Sequence, residues 1–217
     1  MEKAEIKLEI AIEEDSPALC EFYRKFPIEG HVQLLVDRLH NYFAPYEIES
    51  DRHVTYVLRT ADREILGTAT FVIKDVWLGQ EKRTVAVARD LRISQDRRAI
   101  TSWGDQVLPT MAEIEKLFGV DHFFSVLNLS EVRHLNTFVR PRQIRRALPR
   151  YYLFRRFNVV SLHGRLPIAH NPLPHLRVVP GSTGRLDELI YYASLKARAR
   201  DLSTFWDSES FLQKLKR

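Results

Sequence analysis

Apolar and polar residues alternate along several stretches of the first half of the chain, which is the pattern of half-buried strands. Ile6, Leu8, Ile10 and Ile12 follow this alternation and predict a first strand over 6–12. Residues 54–58 and 65–76 are also strand-like, and the turn over 61–64 between them predicts a β-hairpin. A turn over 75–83 is expected to lead into another strand over 84–93, where Val85, Val87, Leu91 and Ile93 share a face.

Three other stretches have apolar residues at steps of three and four, which is typical of amphipathic helices. The first is predicted over 16–26, where Asp15, Ser16 and Pro17 supply cap and first-turn residues. The second is predicted over 31–43 and ends at Pro45. The third runs from Ile100 to Phe118, with a kink or restart expected near Leu108 before Pro109, and with Gly119 as its C-cap.

The second half of the chain continues the alternation of strands and helices. A short strand over 122–127 is apolar on both faces, as in the centre of a sheet. A helix over 131–139 and a long strand over 151–163 follow, and then an aperiodic linker, a strand over 175–179 and a helix over 186–198. This order predicts an α/β protein with a mixed sheet, in which the strand-turn-helix over 84–104 is central.

The turn of that central unit has the sequence Ser-Gln-Asp-Arg-Arg. A tight strand-to-helix turn directs the first unpaired N–H groups of the helix outward, together with the positive end of its dipole. Arg97 and Arg98 add two positive charges there, so the turn is a candidate anion site. The alternative is an ordinary solvated turn with surface arginines.

Composition and charge bound the class of protein. The 217 residues are 45% hydrophobic, which is enough for one domain with an extension or for two small domains. The formal net charge is only +5, but it is unevenly distributed, since no Asp or Glu occurs from Val132 to Leu186. That span contains many arginines and predicts an anionic partner: Arg133, Arg140, Arg142, Arg145, Arg146, Arg150, Arg155, Arg156, Arg165, Arg177 and Arg185.

Cysteine usage and hydropathy indicate a soluble cytoplasmic protein. Cys20 is the single cysteine and is interpreted as a thiol in the core of a helix, which fits a reducing compartment. No secretory segment and no apolar run near the roughly 18 residues of a membrane span are present. The scattered histidines show no metal-ligand spacing, so no metal is expected.

The order of segments resembles the GNAT superfamily of acyl-CoA-dependent N-acyltransferases over residues 5–165. The resemblance depends on Asp90-Leu91-Arg92-Ile93-Ser94, on the following Arg97-Arg98-Ala99, and on Phe123-Phe124-Ser125-Val126-Leu127-Asn128. It implies a sheet with two splayed parallel strands, acetyl-CoA or another acyl-CoA as co-substrate, and an amine acceptor. The implied cofactor-binding residues are Leu91, Arg92, Ile93, Arg97, Arg98, Ala99, Ile100, Thr101, Ser102 and Asn128.

Two features depart from the pattern of that family. Its turn motif, Gln/Arg-x-x-Gly-x-Gly/Ala, contacts pyrophosphate; here the glycine positions hold Thr101 and Trp103 if Arg98 begins the motif, or Ile100 and Ser102 if Arg97 does. Family members also often carry a tyrosine on the helix after the splayed strand, where it protonates the leaving thiolate. Residues 130–140 contain no tyrosine. Tyr151 and Tyr152 are nearby substitutes, or they pack at the edge of a strand. Direct transfer is then expected, with the leaving thiolate protonated from solvent.

Asp90 is the candidate general base, since it lies near the end of the central strand on the face opposite Val87 and Leu91. The alternative is a structural ion pair of Asp90 with Arg89 or Arg92.

The resemblance also suggests a domain division. Residues 5–165 form the GNAT-like domain, 166–174 a linker, and 175–217 a C-terminal extension with a strand and a helix. That extension either packs on the first domain or opens a second, tandem GNAT-like domain.

Three functions therefore compete. The first is N-acyl transfer, most simply of an acetyl group. The second is a catalytically degenerate GNAT-fold module that binds CoA, a nucleotide or another anion through its arginines. The third is nucleic-acid binding by the acid-free span, where aromatic residues such as Tyr152 and Phe154 interleave with arginine.

Overall fold

The computed structural model describes residues 5–27, 35–126, 152, 156 and 183–216. Its strands are β1 (Ile6–Ile10), β2 (His53–Thr60), β3 (Ile65–Leu78), β4 (Glu81–Ile93), β5 (His122–Ser125) and β6 (Ser203–Thr204). Its helices are α1 (Ser16–Arg24), α2 (Ala44–Glu49), α3 (Arg97–Phe118), α4 (Leu186–Arg198) and α5 (Ser208–Lys216). Short 3-10 turns at Glu13–Asp15 and Thr183–Arg185 precede α1 and α4.

One mixed sheet organises the chain, in the order β1-β2-β3-β4-β5. The pairs from β1 to β4 are antiparallel, whereas β5 runs parallel to β4. β6 pairs antiparallel with β3 at Val76 and Trp77, beyond the part of β3 that β2 covers. The mixed sheet predicted from the sequence is therefore present.

Helices cover both faces of this sheet, and alternate strand residues supply the two cores. Leu58, Phe71 and Ile73 face α3, where they pack with Trp103 and Ile114. On the other face, Val57 and Val72 pack with a cluster formed by α1, α2 and the segment just before α2, which contains Leu19, Cys20, Tyr23, Tyr42 and Tyr46. Cys20 is a buried free thiol, as predicted.

The predicted helix over 31–43 is wrong for the residues that the structure describes. Residues 35–43 have no regular structure, and Leu39 lies in the left-handed region with φ of 53°. Pro45 belongs to the first turn of α2 instead of ending a helix. Asn41 stabilises this arrangement, because its side-chain Oδ1 accepts hydrogen bonds from the N–H groups of Phe43 and Ala44 at 2.8 and 3.0 Å.

Two boundaries around the central hairpin also differ from the predictions. The long turn expected over 75–83 is only Gly79 and Gln80, because β3 and β4 pair up to Leu78 and Glu81. α3 begins at Arg97, three residues before the predicted Ile100, and continues through Pro109 without a restart. Its C-cap is Gly119, as predicted, at φ of 62°.

Predictions for residues 28–34, 127–151 and 157–182 lie outside the described residues. These include the helix over 131–139, the strands over 151–163 and 175–179, Asn128, and all the arginines of the acid-free span except Arg156 and Arg185. The helix over 186–198 is confirmed as α4. The division into domains stays a prediction.

Trp103 packs directly on the backbone of Gly67, and this contact supports a stability prediction. A Cβ at Gly67 would lie 2.9 Å from Trp103 Cζ3 and 3.3 Å from the Arg92 carbonyl oxygen. We expect Gly67→Ala to lower the free energy of unfolding by about 1–3 kcal/mol, because the indole must shift in a packed core. Urea unfolding of Gly67→Ala, Trp103→Phe and the double variant measures this. The smaller phenyl ring should reduce the cost of Gly67→Ala, and an equal cost in both backgrounds would rule out the steric explanation.

Candidate functional site

The strand β4 carries a β-bulge near its C-terminal end. Thr70 pairs with Arg89 and Thr68 pairs with Arg92, so Asp90 and Leu91 together lie opposite the single residue Ala69. Asp90 adopts φ of 49°, a conformation that is uncommon for a residue other than glycine. The bulge therefore directs the Asp90 side chain away from its position in a regular strand.

The bulge brings Arg89 and Asp90 to the same helix. Successive residues of a regular strand face opposite sides of the sheet. Here Arg89 donates to Glu49 of α2 at 2.5 Å, and Asp90 accepts a hydrogen bond from Tyr46 of the same helix. Asp90 is thus displayed on the face that α1 and α2 cover.

Three donors surround the Asp90 carboxylate. The Tyr23 hydroxyl donates to Oδ1 at 2.8 Å, while the Tyr46 hydroxyl and the Arg38 guanidinium both donate to Oδ2. The side chain of Asp90 is 16% exposed and that of Arg38 is 9% exposed. Asp90 is paired with Arg38, and not with Arg89 or Arg92 as the structural alternative expected.

The protonation states of these donors are fixed at neutral pH. Burial and the Asp90 carboxylate raise the pKa of Tyr23 above its ordinary value, and burial, Tyr42 and Asp90 raise the pKa of Tyr46. Burial alone would lower the pKa of Arg38, but Tyr46 and Asp90 outweigh it and the pKa is raised. Both hydroxyls therefore remain donors, and Arg38 remains charged.

Next to this carboxylate, β4 loses its partner strand. β5 pairs with β4 from Val85↔His122 to Ala88↔Ser125 and then ends, while β4 continues to Ile93. No other described strand pairs with this side of β4. Among the described residues, the backbone of β4 beyond Ala88 therefore has no strand partner on this side.

The N-terminus of α3 lies directly after this unpaired part of β4. Asp96 is its N-cap, and its carboxylate accepts from the Arg98 N–H at 2.7 Å and forms an ion pair with the Arg98 guanidinium. The hydrogen bonds from Arg98 lower the pKa of Asp96. Arg97 is exposed and forms no ion pair with another described residue.

Comparison with solved structures shows which fold the chain has. No protein-family model matches the chain, and no curated protein is similar to it in sequence. Two solved structures match over 74% of this chain and 100% of their own. One is the aminoglycoside antibiotic 6'-N-acetyltransferase AAC(6')-Ih from Acinetobacter baumannii, with a TM-score of 0.50 and 15% identity. The other is described as a possible acetyltransferase from Clostridium difficile 630, with a TM-score of 0.51 and 9% identity.

This chain has the GNAT fold. The α/β class predicted from the order of segments is thereby confirmed.

In the turn that was predicted to bind pyrophosphate, side chains of the protein already use part of the hydrogen-bonding capacity. Since α3 begins at Arg97, the positions that were assigned to the glycines of the motif lie within its first two turns. Trp103 is buried in the core, and the Thr101 hydroxyl donates to the carbonyl oxygens of Arg97 and Arg98 at 3.0 Å. Asp96 occupies the N–H group that an anion would use.

The other predicted site residues lie along β4 and α3. Leu91, Arg92 and Ile93 are half-buried at the end of β4, and the Arg92 guanidinium lies 5.2 Å from the centre of the Tyr23 ring. Ala99 is fully buried, whereas Ile100 is exposed and Ser102 is half-buried. The structure thus brings the β4 and α3 candidates to one edge, and Asn128 lies outside the described residues.

Sequence reasoning missed Tyr23, Arg38 and Tyr46, the three partners of Asp90. They come from α1, from the irregular segment before α2, and from α2. Arg38 was missed because the predicted helix over 31–43 placed it on the polar face, where an arginine is expected to be exposed to solvent. The tyrosine in each of two short helices was the only local signal.

Two surface cavities lie away from β4. They have volumes of about 540 and 200 Å³ and share Glu47 and His53, and neither is lined by a residue of β4. Within the described part of the chain, no group of three or more His, Cys, Asp or Glu side chains is placed to hold a metal ion. None of the described helices combines the length and the hydropathy needed to cross a membrane.

Proposed function

We propose that the protein is an N-acyltransferase that moves an acyl group, most simply acetyl, from acyl-CoA to an amine. The observation that carries this proposal is that β5 pairs with β4 only as far as Ala88, so that β4 has no partner strand on this side beside Asp90 among the described residues. The unpaired backbone of β4 offers N–H and C=O groups to an extended ligand, and the N-terminus of α3 follows at the same edge. The GNAT fold shared with acetyltransferases supports the same class of reaction.

The residues at this edge suit an acyl-CoA if the Asp96 side chain releases the Arg98 N–H group. Arg97 and the N-terminus of α3 suit a pyrophosphate, while Asp96 competes for the same N–H group. Asp96 is close to the surface, so a rotation of its side chain frees that group. When bound, acyl-CoA supplies the thioester carbonyl carbon to which the amine nitrogen bonds as the C–S bond breaks.

Asp90 provides the matching proton acceptor. A carboxylate has about four lone-pair positions, and the three donors around Asp90 leave capacity for one more. Asp90, or a water that it binds, takes the proton that the amine nitrogen loses. Since both tyrosine hydroxyls are engaged by Asp90, solvent supplies the proton that the departing sulfur takes up.

Binding of acetyl-CoA is the direct test. Two variants, one of them a double variant, should change the affinity in opposite directions. Arg97→Ala/Arg98→Ala should weaken binding about tenfold or more, because charge-assisted hydrogen bonds to phosphate are lost. Asp96→Asn should strengthen it about 2- to 5-fold, because asparagine is as good an N-cap but carries no charge to repel the pyrophosphate. Titration calorimetry measures both.

Lys116→Ala is the matched control, since it removes a positive charge from the opposite end of the same helix. Its affinity should equal that of the wild type. If no heat is detected up to millimolar acetyl-CoA, even with Asp96→Asn, the acyltransferase proposal is wrong.

A degenerate module that binds another anion is the second candidate. The observation that favours it is Asp96 on the N-terminus of α3, in a turn without glycine. This candidate predicts that a nucleotide or inorganic pyrophosphate binds where acetyl-CoA does not. Nucleic-acid binding by the acid-free span concerns residues that lie almost entirely outside the described ones.

A further inference from the structure

In the segment before α2, the apolar side chains are exposed and a charged side chain is buried. Leu35 and Leu39 are 60% and 68% exposed, while Arg38 between them inserts its charged side chain into the protein. Leucines are normally buried and arginines normally solvated, unless the arginine is paired. The interior site therefore holds a cation where this segment also offers apolar side chains.

That site is built as a cage for a positive charge, and we call it the tyrosine cage: Tyr23, Tyr42, Tyr46 and Asp90. The Arg38 Cζ atom lies 5.0, 5.5 and 5.1 Å from the three ring centres, all within the range of a cation–π interaction. The Asp90 carboxylate closes the cage and forms the ion pair. Three rings and one carboxylate around a single cation are the groups with which proteins recognise alkylammonium ligands.

The cage leaves part of the hydrogen-bonding capacity of Arg38 unused. Its Nε and Nη1 atoms are buried, and no hydrogen-bond acceptor among the described residues receives their hydrogens. A guanidinium has five N–H donors in a fixed fork, whereas the cage offers one carboxylate oxygen to it. A compact ammonium would leave fewer donors unpaired in the same space.

The cage cannot take a further positive charge while Arg38 occupies it. Arg92 lies 5.2 Å from the Tyr23 ring, so Arg38 and Arg92 together already exceed the single negative charge of Asp90. A second cation beside Arg38 would add a like charge in a poorly solvated place. A ligand cation must therefore replace Arg38, and this exchange leaves the net charge of the cage unchanged.

The contacts of the segment make such an exchange feasible. Apart from the cage, the described residues hold 35–39 through an exposed ion pair of Asp37 with Arg24 at 2.9 Å, through the turn in which Leu39 N–H donates to Asp37, and through the Asn41 N–H, which donates to the Arg38 carbonyl oxygen. Exposed ion pairs contribute little to stability. Among the described residues, withdrawal of Arg38 thus breaks few other interactions, and it does not require α1, α2 or β4 to unfold.

We infer that the tyrosine cage is the pocket for the amino group of an alkylammonium acceptor, and that Arg38 occupies it as a built-in substitute until the acceptor displaces it. The inference rests on the proposed function, because it places the acceptor nitrogen on Asp90, the residue that takes its proton. The acceptor class is a primary amine on a flexible aliphatic chain. Arg38 acts as an internal competitor.

Binding of n-propylammonium in the absence of acyl-CoA tests this inference. If the cage is free of Arg38 in about 1–10% of molecules, Arg38→Ala should bind the probe about 10- to 100-fold more tightly than the wild type. Adding Asp90→Asn to Arg38→Ala should abolish that gain. The neutral probe n-propylurea should bind none of the variants.

Arg83→Ala is the matched control. It removes a partly exposed arginine near the start of β4, away from residues 35–39 and from the cage, so its affinity for the probe should stay at the wild-type level. A folded Arg38→Ala variant that binds n-propylammonium no better than wild type would overturn the inference and make Arg38 a permanent structural ion pair.

Hydrogen exchange in the wild-type protein keeps the inference testable if Arg38→Ala does not fold. Displacement of Arg38 should speed exchange of the Asn41 N–H, which donates to the Arg38 carbonyl oxygen at 3.2 Å. n-Propylammonium should cause this and n-propylurea should not; unchanged exchange with both would refute the displacement. Because no acyl-CoA is present, a protein that binds the probe but transfers no acyl group would contradict the proposed function alone.

Discussion

Replacement of Asp90 by asparagine is expected to lower acyl-transfer turnover by about 10²- to 10⁴-fold, the usual contribution of a general base. Asparagine has nearly the shape of aspartate, so the bulge of β4 is kept, but its amide cannot take a proton from the acceptor. The affinity for acyl-CoA should stay near the wild-type value, since Asp90 faces α1 and α2 and lies apart from the N-terminus of α3.

Turnover is measured with a primary alkylamine and acetyl-CoA, and the affinity for acetyl-CoA is measured separately by calorimetry. Asp90→Asn also leaves Arg38 buried without its counter-ion, so thermal unfolding must show that the variant is folded at the assay temperature. A folded variant with wild-type turnover would exclude Asp90 as the base.

Replacement of Asp15 by alanine is expected to lower the free energy of unfolding by about 3–5 kcal/mol, the cost of leaving one partner of a buried ion pair alone. Arg59 of β2 donates to Asp15 Oδ2 at 2.6 Å, and both side chains are almost completely buried. Asp15 Oδ2 also accepts the Ile12 N–H at 3.0 Å. The pair thereby joins the start of α1 to the sheet.

The same pair should make stability depend on pH. Burial alone would raise the pKa of Asp15, but the hydrogen bonds from Arg59 and Ile12 outweigh it, so the pKa lies below its ordinary value of 3.8. A carboxyl group with a depressed pKa stabilises the folded state fully above its unfolded-state pKa, and this contribution is lost as the pH falls through the folded-state value.

Urea unfolding at several pH values checks both statements. The wild-type free energy should decrease below about pH 4, and Asp15→Asn should show a smaller decrease because it has no proton to bind. Asp62→Ala, in the exposed turn between β2 and β3, is the control and should change stability by less than about 0.5 kcal/mol. A loss below 1 kcal/mol for Asp15→Ala would contradict the importance of this pair.

The sheet could be predicted because its information is local. Strand alternation over β1 to β4 reflects which face each residue buries, and turn residues mark the hairpin between β2 and β3. The helix over 31–43 was wrong for a physical reason. Its apolar spacing is real, but the contacts of Arg38 in the tyrosine cage stabilise an irregular path that exposes Leu35 and Leu39.

The candidate site was predictable only as far as Asp90. Its place at the end of the central strand follows from the pattern, but the bulge that turns it towards α2 leaves no trace in the alternation. Tyr23, Arg38 and Tyr46 reach Asp90 from three separate elements, and such long-range contacts are set by the fold and cannot be read from local spacing. The start of α3 at Arg97 was obscured because Asp96 was not recognised as its cap.

The pairing of β6 with β3 has a consequence for the order in which the protein folds. Val76 and Trp77 pair with Thr204 and Ser203, and the Trp77 ring also contacts Phe205 and Arg198, at 5.3 Å between ring centres and 4.5 Å from Cζ to the ring centre. During synthesis these partners emerge from the ribosome long after the β2-β3-β4 meander is complete. Contacts between residues so distant in sequence form slowly. We therefore expect β2, β3 and β4 to pair before β6 and Phe205 reach Trp77.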